Sequence, residues 1–304
     1  MGSVRIYEGF DPGAGQIETK HLDVAVLVTT YNHERFIRRC LDSIIAQKFD
    51  GTIGIVVYDD CSTDGTLAKV RETLDAVDGC KIEAHVLMAS FNRKGIGLSP
   101  ALLILNMLES RYVAFCEGDD AWSDPRKLDF QAGFLDANEE YSCCGHRARV
   151  VSEADELQDE YVPDPAMWRD FTGQELQQCR CWISTCTLMC RGGIRFPASL
   201  GNVTNGDNVV WSTLGQHGKF KYLAGVGDSL YTRHTGGAWS MKSPIHHALA
   251  HADTWLRLAR YYYDAGEEGL AVAFLLRSRG ALNAIEIQRK NRGGADPGCE
   301  PRAS

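Results

Sequence analysis

The chain has 304 residues, 44% hydrophobic and 24% charged, enough for one large domain or two small ones around a sizeable core. A formal net charge of -8 without any basic run argues against nucleic acid as a partner. No stretch has the length and apolarity of a transmembrane helix, and residues 1–21, which lack the apolar core of a signal peptide, are expected to be a flexible leader. The 11 cysteines are odd in number, scattered and without a C-x-x-C pair, which favours reduced, mostly buried thiols in a cytoplasmic protein. Cys179, Cys181, Cys186 and Cys190 cluster, but no histidine lies nearby at zinc-finger spacing.

Residues 24–29 (V-A-V-L-V-T) are a continuous run rich in β-branched residues, the mark of a strand covered on both faces. A polar turn, T-Y-N-H, follows. From Glu34 onward Phe36, Ile37, Cys40, Leu41, Ile44 and Ile45 recur at three- and four-residue steps, which predicts an amphipathic helix. A second buried strand, 53–58 (I-G-I-V-V-Y), ends in Asp59-Asp60 and the turn-rich C-S-T-D-G-T. Leu67, Val70, Leu74 and Val77 mark a second helix, 82–88 a third strand, and S-F-N-R-K-G-I-G a polar loop before a third helix at 100–109. Residues 112–116 (Y-V-A-F-C) form a fourth strand that stops at Glu117, Asp119 and Asp120, with Gly118 allowing a sharp turn.

Such a βαβαβαβ order predicts a parallel sheet whose right-handed crossovers bring all the strand ends to one edge, where ligands of open sheets bind. Thr29 and Tyr31, Asp59 and Asp60, Asn92 and Arg93, and the acidic triplet would then line one crevice. Three carboxylates so close repel unless water, donors or a cation compensate. One reading is a hard divalent ion, Mg²⁺ or Mn²⁺, that also grips a phosphate; the other is a solvated acidic turn. Neither G-x-G-x-x-G nor a Walker loop follows the first strand, so the phosphates of a bound nucleotide would rest mainly on a metal.

Beyond Trp122, Ser123-Asp124-Pro125 predicts a helix start with a capping Asp, continued by Leu128, Ala132 and Leu135. The acidic, Pro-bearing stretch 150–170 is expected to be a surface excursion or lid. Thr172-Gly173-Gln174-Glu175 matches a capping box. Residues 182–190 predict a strand, Asn205-Gly206-Asp207 the start of another helix, and 222–223 with 230–231 a strand pair. T-R-H-T-G-G-A-W-S-M at 232–241 suggests a mobile loop near a ligand. Two helical segments run from 244 to about 290, broken at 264–266, and 291–304 lacks any core-forming pattern, as a disordered tail would.

Five segments stand out in order: V-T-T-Y-N (28–32), Y-D-D-C-S-T-D-G-T (58–66), E-G-D-D-A-W (117–122), G-D (206–207) and Y-T-R-H-T-G-G-A-W-S (231–240). Together they resemble the family 2 glycosyltransferases of the GT-A fold over about residues 22–240. The resemblance implies an α/β GT-A architecture, a Rossmann-like nucleotide-binding half with a mixed sheet, to which this chain adds a C-terminal helical segment. Its expected divisions are the leader at 1–21, a nucleotide-sugar-binding half at 22–125, an acceptor-binding half at 126–243, C-terminal helices at 244–290 and the tail at 291–304.

The same resemblance implies an inverting, metal-dependent transfer of a sugar from a UDP- or dTDP-type donor to the hydroxyl of a glycan, a lipid-linked acceptor or a small molecule. Thr29 and Tyr31 would line the base pocket and Asp60 would accept the pyrimidine N3–H, with Asn92 and Arg93 at the next strand end. Asp119 and Asp120 would hold the ribose and the metal, and His234 matches a position where some relatives supply a metal or phosphate contact. The family often has Asp where Glu117 stands; the longer side chain leaves a role near the donor or acceptor sugar. Asp207 resembles the family's catalytic base, although Asp at a helix start is equally a common cap. Trp122, Trp182 and Trp239 could stack on sugar faces or simply fill core.

Two further readings remain open. A sugar nucleotidyltransferase would carry a Gly-rich basic loop where T-Y-N-H-E-R stands, and a catalytically silent nucleotide-binding protein would not need Asp207. The C-terminal helices, with Tyr261-Tyr262-Tyr263, could pack on the domain, pair with another copy or lie against a membrane.

Overall fold

The computed structural model describes residues 4–12, 17–77, 81–93, 100–201, 203–236 and 243–293, with side chains as far as 283. Twelve strands and eight α-helices are assigned there: β1 Val4–Glu8, β2 Val24–Thr30, α1 Ile37–Ile45, β3 Ile53–Asp59, α2 Thr66–Asp75, β4 Ile82–Met88, α3 Pro100–Leu105, β5 Tyr112–Phe115, β6 Ala121–Trp122 and α4 Lys127–Ala137. The chain continues with β7 Tyr141–Gly145, β8 Ala148–Ser152, β9 Leu157–Val162, α5 Gly173–Gln177, β10 Met189–Arg191, α6 Gly206–Gly215, β11 Lys219–Tyr222, β12 Ser229–Arg233, α7 Pro244–Asp264 and α8 Glu268–Gly293.

The main sheet has the order β1-β4-β3-β2-β5-β10-β7-β11 and a second sheet the order β6-β12-β8-β9. β1, β4, β3, β2 and β5 are mutually parallel, whereas β10 runs antiparallel to both β5 and β7. This is the mixed α/β sheet expected from the resemblance. The alternation of side chains along each central strand divides the core in two. Val24, Val26 and Val28 of β2 face α1, α2 and α4, and Ala25 and Leu27 face the layer of α3, α6, α7 and α8. From β2 the chain moves to β3 on one side and later to β5 on the other. The gap between the ends of β2 and β5 is therefore a topological switch point, where parallel sheets bind ligands.

Several sequence expectations change. The expected leader carries β1, which pairs with β4 from Val4↔Ala84 to Glu8↔Met88, and Phe10 and Ile17 are buried in the core. Short apolar residues there gave no run long enough to be noticed. The expected excursion at 150–170 instead contains most of β8 and all of β9, an antiparallel pair of the second sheet. Residues 182–190 hold a 3-10 turn at Thr185–Thr187 before the short β10. β11 and β12 do not pair with each other: β11 joins β7 in the main sheet and β12 joins β8 and β6 in the second. α4 begins two residues beyond the predicted start, while Asp124 accepts the backbone N–H of Arg126, as a cap would, and that of Gly227.

The capping box at Thr172 and Glu175 is present with both reciprocal bonds. α7 and α8 are separated at Gly266, whose φ of +80° suits a residue without Cβ. α8 continues to Gly293, past the expected start of the tail, and 294–304 lie outside the described residues.

Candidate active site

Each strand end contributes a loop that its neighbours hold in place. Asn32, at φ +54°, donates its backbone N–H to the Ser62 hydroxyl at 2.9 Å, and its side-chain oxygen accepts from the Thr63 N–H at 2.8 Å. The loops after β2 and β3 are thus stitched together. Asp60 is 4% exposed; its Oδ1 accepts from the Tyr58 hydroxyl at 3.0 Å and from the Arg93 N–H at 2.9 Å. The Asn92 amide donates to the Asp60 carbonyl at 3.2 Å, and the Arg93 guanidinium stands 3.2 Å from Asp11 and stacks on Phe91. Asp60, Asn92 and Arg93 therefore come together as a unit. Thr29 is partly buried at the end of β2, while Tyr31 is 41% exposed in the loop beyond it.

The acidic turn closes onto β2 through a bond from the Gly118 N–H to the Thr29 carbonyl at 2.9 Å. A Cβ at Gly118 would lie 2.8 Å from the Thr30 hydroxyl and 2.9 Å from His33 Nδ1, so this close approach requires glycine. The three carboxylates then point into three different environments. Asp119 Oδ2 lies 3.0 Å from His234 Nε2 and 3.8 Å from His33 Nε2. Burial pushes its pKa up, but the His234 bond and the two neighbouring imidazoles outweigh burial and hold it below the ordinary value. Asp120 is 3% exposed and accepts the Thr232 N–H at 2.8 Å; burial, then Asp119 and Glu117, push its pKa well up.

Glu117 turns the other way. Burial first, then Asp207 and Asp119, raise its pKa from 4.5 to about 7, against the lowering effect of the Thr185 hydroxyl. Its Oε2 is buried without a hydrogen-bond partner. It shares a pocket with Asp207, Thr29 and Thr185 on an apolar floor that includes Leu27, Leu102 and Phe115. Asp207 is the second residue of α6; the N-cap position belongs to Asn205, whose amide lies 3.3 Å from His251 Nδ1. In the first turn a carboxylate also suits the positive end of the helix dipole.

Ligand atoms of His33, Asp119 and His234 lie within 4.8 Å of one another, a donor set able to hold a divalent cation. Asp120 is outside this set, its carboxylate committed to β12. His33 closes the polar turn T-Y-N-H, and nothing in its local sequence pairs it with a histidine so far along the chain. Arg39 was also missed. From α1 its guanidinium reaches the Asp119 carbonyl at 3.0 Å and the Thr232 hydroxyl at 2.5 Å, and it pairs with Asp155. Its place in an amphipathic repeat disguised it as an ordinary surface residue.

The tryptophans part company. Trp122 is 5% exposed, donates its indole N–H to the Cys186 carbonyl at 2.8 Å and has the Lys127 ammonium 4.0 Å above its ring, so it is core rather than a sugar-stacking face. Trp182 is 46% exposed. Trp239, with the rest of 237–242, lies outside the described residues.

Residues 25–199 match glycosyl transferase family 2, more than half of the chain. The chain belongs to that family. An uncharacterized protein of Mycobacterium tuberculosis is 28% identical over 219 residues, 71% of this chain and 60% of that protein, so the chain spans only part of such a relative. The Staphylococcus aureus poly(ribitol-phosphate) beta-N-acetylglucosaminyltransferase TarS is 34% identical over 113 residues, 37% of this chain and 18% of TarS. In structure, TarS 1-349 in complex with UDP-GlcNAc superposes with a TM-score of 0.61 at 20% identity, over 84% of this chain and 72% of that one. A Pyrobaculum calidifontis mannosyltransferase in complex with GDP-Man and Mn²⁺ gives 0.54 at 17% identity, over 94% and 83%. The GT-A fold is thereby established for this family member.

Proposed function

We propose that this enzyme transfers a sugar, with inversion, from a UDP- or dTDP-type donor to an acceptor hydroxyl, with Mg²⁺ or Mn²⁺ on the diphosphate. The observation that carries the reading is the contrast across the turn at 117–120. Asp119 is held ionised beside two imidazoles, and Glu117 faces Asp207 in a partly apolar pocket. Asp60, fixed by Tyr58 and Arg93, is positioned to accept a pyrimidine N3–H, with Thr29, Tyr31 and Asn92 bordering the same nucleotide. Asp119 and His234 would hold the cation, which when bound neutralises charge developing on the leaving diphosphate. Asp120 keeps the turn registered on β12.

Asp207 takes the proton that the acceptor hydroxyl loses as it attacks the anomeric carbon. Glu117 borders the sugar on the same side, and Trp182 offers an exposed aromatic face to donor or acceptor. The acceptor is a glycan, a lipid-linked sugar or a small molecule. We assign the protein to the cytoplasm, with a second copy meeting the exposed Leu249, Leu256 and Leu276 of the C-terminal helices. No helix among the described residues is long and apolar enough to cross a membrane.

Incubation with Mn²⁺ and a panel of sugar nucleotides tests the reading. Slow hydrolysis of a pyrimidine diphosphate sugar, abolished by EDTA, is expected. Turnover coupled to pyrophosphate would instead indicate a nucleotidyltransferase, and binding without turnover a silent nucleotide-binding protein.

A further inference from the structure

The resemblance gives the cation to Asp119, Asp120 and His234; His33, which stands with Asp119 and His234 in the observed cluster, has no role in that account. Its position is fixed from several directions. The His33 carbonyl accepts the backbone N–H groups of Phe36 and Ile37, both at 2.9 Å, which locks the turn into the start of α1. Phe36, 5% exposed, wedges behind both imidazoles, with ring centroids 6.4 Å from His33 and 4.7 Å from His234. The two histidine rings meet edge to face at 5.8 Å. Gly118 leaves room for His33 Nδ1, and a Cβ at Gly236 would press on His234 at 3.3 Å. Three independent segments, the end of β2, the end of β5 and the end of β12, thus bring two nitrogens and one carboxylate to one point.

Magnesium prefers oxygen ligands and a shell rich in water, whereas imidazole suits the first-row transition ions, whose affinity for a given site rises from Mn²⁺ towards Co²⁺ and beyond. We infer that His33 is a third protein ligand of the cation and that its imidazole, with that of His234, tunes the site to a first-row transition ion over Mg²⁺. This rests on the metal-dependent reading above, and it narrows the choice left there between Mg²⁺ and Mn²⁺. A carboxylate at position 33 would leave His234 as the one imidazole of the cluster and so weaken that preference.

The test uses the full chain, freed of metal by chelation and titrated calorimetrically with Mg²⁺, Mn²⁺ or Co²⁺ alone, without nucleotide. Mn²⁺ is expected to bind at least about tenfold more tightly than Mg²⁺ and Co²⁺ more tightly still, with visible Co²⁺ bands reporting nitrogen ligation. His33→Asn should weaken Mn²⁺ and Co²⁺ by about tenfold or more and shift those bands, with a smaller effect on Mg²⁺. His33→Asp, also checked for folding by circular dichroism, should narrow the gap between Mn²⁺ and Mg²⁺. Equal affinity of the parent for Mg²⁺ and Mn²⁺ would overturn the inference, as would an unchanged metal order and Co²⁺ spectrum in both variants. Sugar-nucleotide turnover, read separately, keeps the two claims apart. Turnover with a metal order indifferent to position 33 sinks the role of His33 and leaves glycosyl transfer standing. A metal order that depends on His33, in a protein that binds no sugar nucleotide, does the reverse.

Discussion

At the end of β3, and where the acidic turn meets β12, carboxylates meet donors: Asp60 the Tyr58 hydroxyl and the Arg93 N–H, Asp119 the His234 ring, Asp120 the Thr232 N–H. On the side over α3 and α6, Glu117 keeps one buried oxygen without a partner and faces Asp207 above Leu102 and Phe115. The donor-held groups have their geometry fixed before any ligand arrives, which suits charges that must stay put. A carboxylate placed among apolar neighbours and another acid is instead raised towards neutral pH, which suits a group that gains or loses a proton. One turn of four residues serves both sides, because Gly118 lets successive side chains diverge.

The largest expected effect tests whether the second side is where the chemistry occurs. Asp207→Asn keeps the shape and loses the ability to take the acceptor's proton. Transfer should fall by roughly 10² to 10⁴, while donor affinity survives because other elements build the nucleotide pocket. Asn205, not Asp207, occupies the N-cap, so no cap is lost, and the helix-dipole contribution at stake is about 0.3 to 1 kcal/mol. Melting temperature, UDP affinity and transfer rate on one preparation decide the matter. A folded variant that binds both substrates and transfers at the parent rate would refute the assignment of the base.

Glu117 sharpens the same contrast through pH. Its pKa is raised from 4.5 to about 7, so between those values the folded chain binds more protons than the unfolded one. Stability should therefore fall as pH rises through that window and level off above it. Glu117→Gln removes this contribution and should be the more stable protein at pH 8, by at most about 3 kcal/mol at 1.36 kcal/mol per unit, less whatever solvent screens. Asp59 is also raised but titrates in parent and variant alike, whereas Asp120, which Glu117 itself helps to raise, shifts down in the variant, so the difference between the two denaturation curves reports Glu117 together with its coupling to Asp120. Asp119, lowered, acts only below the window. Parallel curves for parent and variant from pH 4 to 8 would show that Glu117 is as well satisfied as its neighbours.

How far the sequence announced these two sides differs between them. The β-branched runs of β2 and β3 and the polar residues directly after them state both the sheet and the edge where ligands sit, because burial on two faces leaves no other pattern for those strands. β1, β9 and the pairing of β12 were not legible. They are short or half exposed, and their partners are set by long-range register rather than local periodicity. For the site, Asp60, Asp119 and Asp207 could be named from motif positions. His33 could not, since only folding brings it to His234, and the sequence leaves Trp122 open because its type fits a sugar platform and a core equally well.

The smallest expected effect concerns the donor-held side alone. Asp60→Asn replaces an acceptor-only group by one that can turn an NH₂ towards the pyrimidine N3–H. The substitution also disturbs a network already in place, since the same oxygen accepts from the Tyr58 hydroxyl and the Arg93 N–H. An amide oxygen can keep those two bonds only by presenting its NH₂ on the opposite side, towards the base. The flip that would rescue the base contact would break the protein's own contacts, so no orientation satisfies every partner. UDP binding should weaken by on the order of 1 to 3 kcal/mol, the cost of a buried polar group left unmatched. Metal affinity measured without nucleotide should be unchanged, because the cation cluster is built from other loops. Calorimetric titration of UDP and of a purine diphosphate into parent and variant checks the point. If the parent binds the purine as tightly as UDP, Asp60 does not read the base, and its tight bonding to Arg93 and Tyr58 serves the loop rather than the ligand.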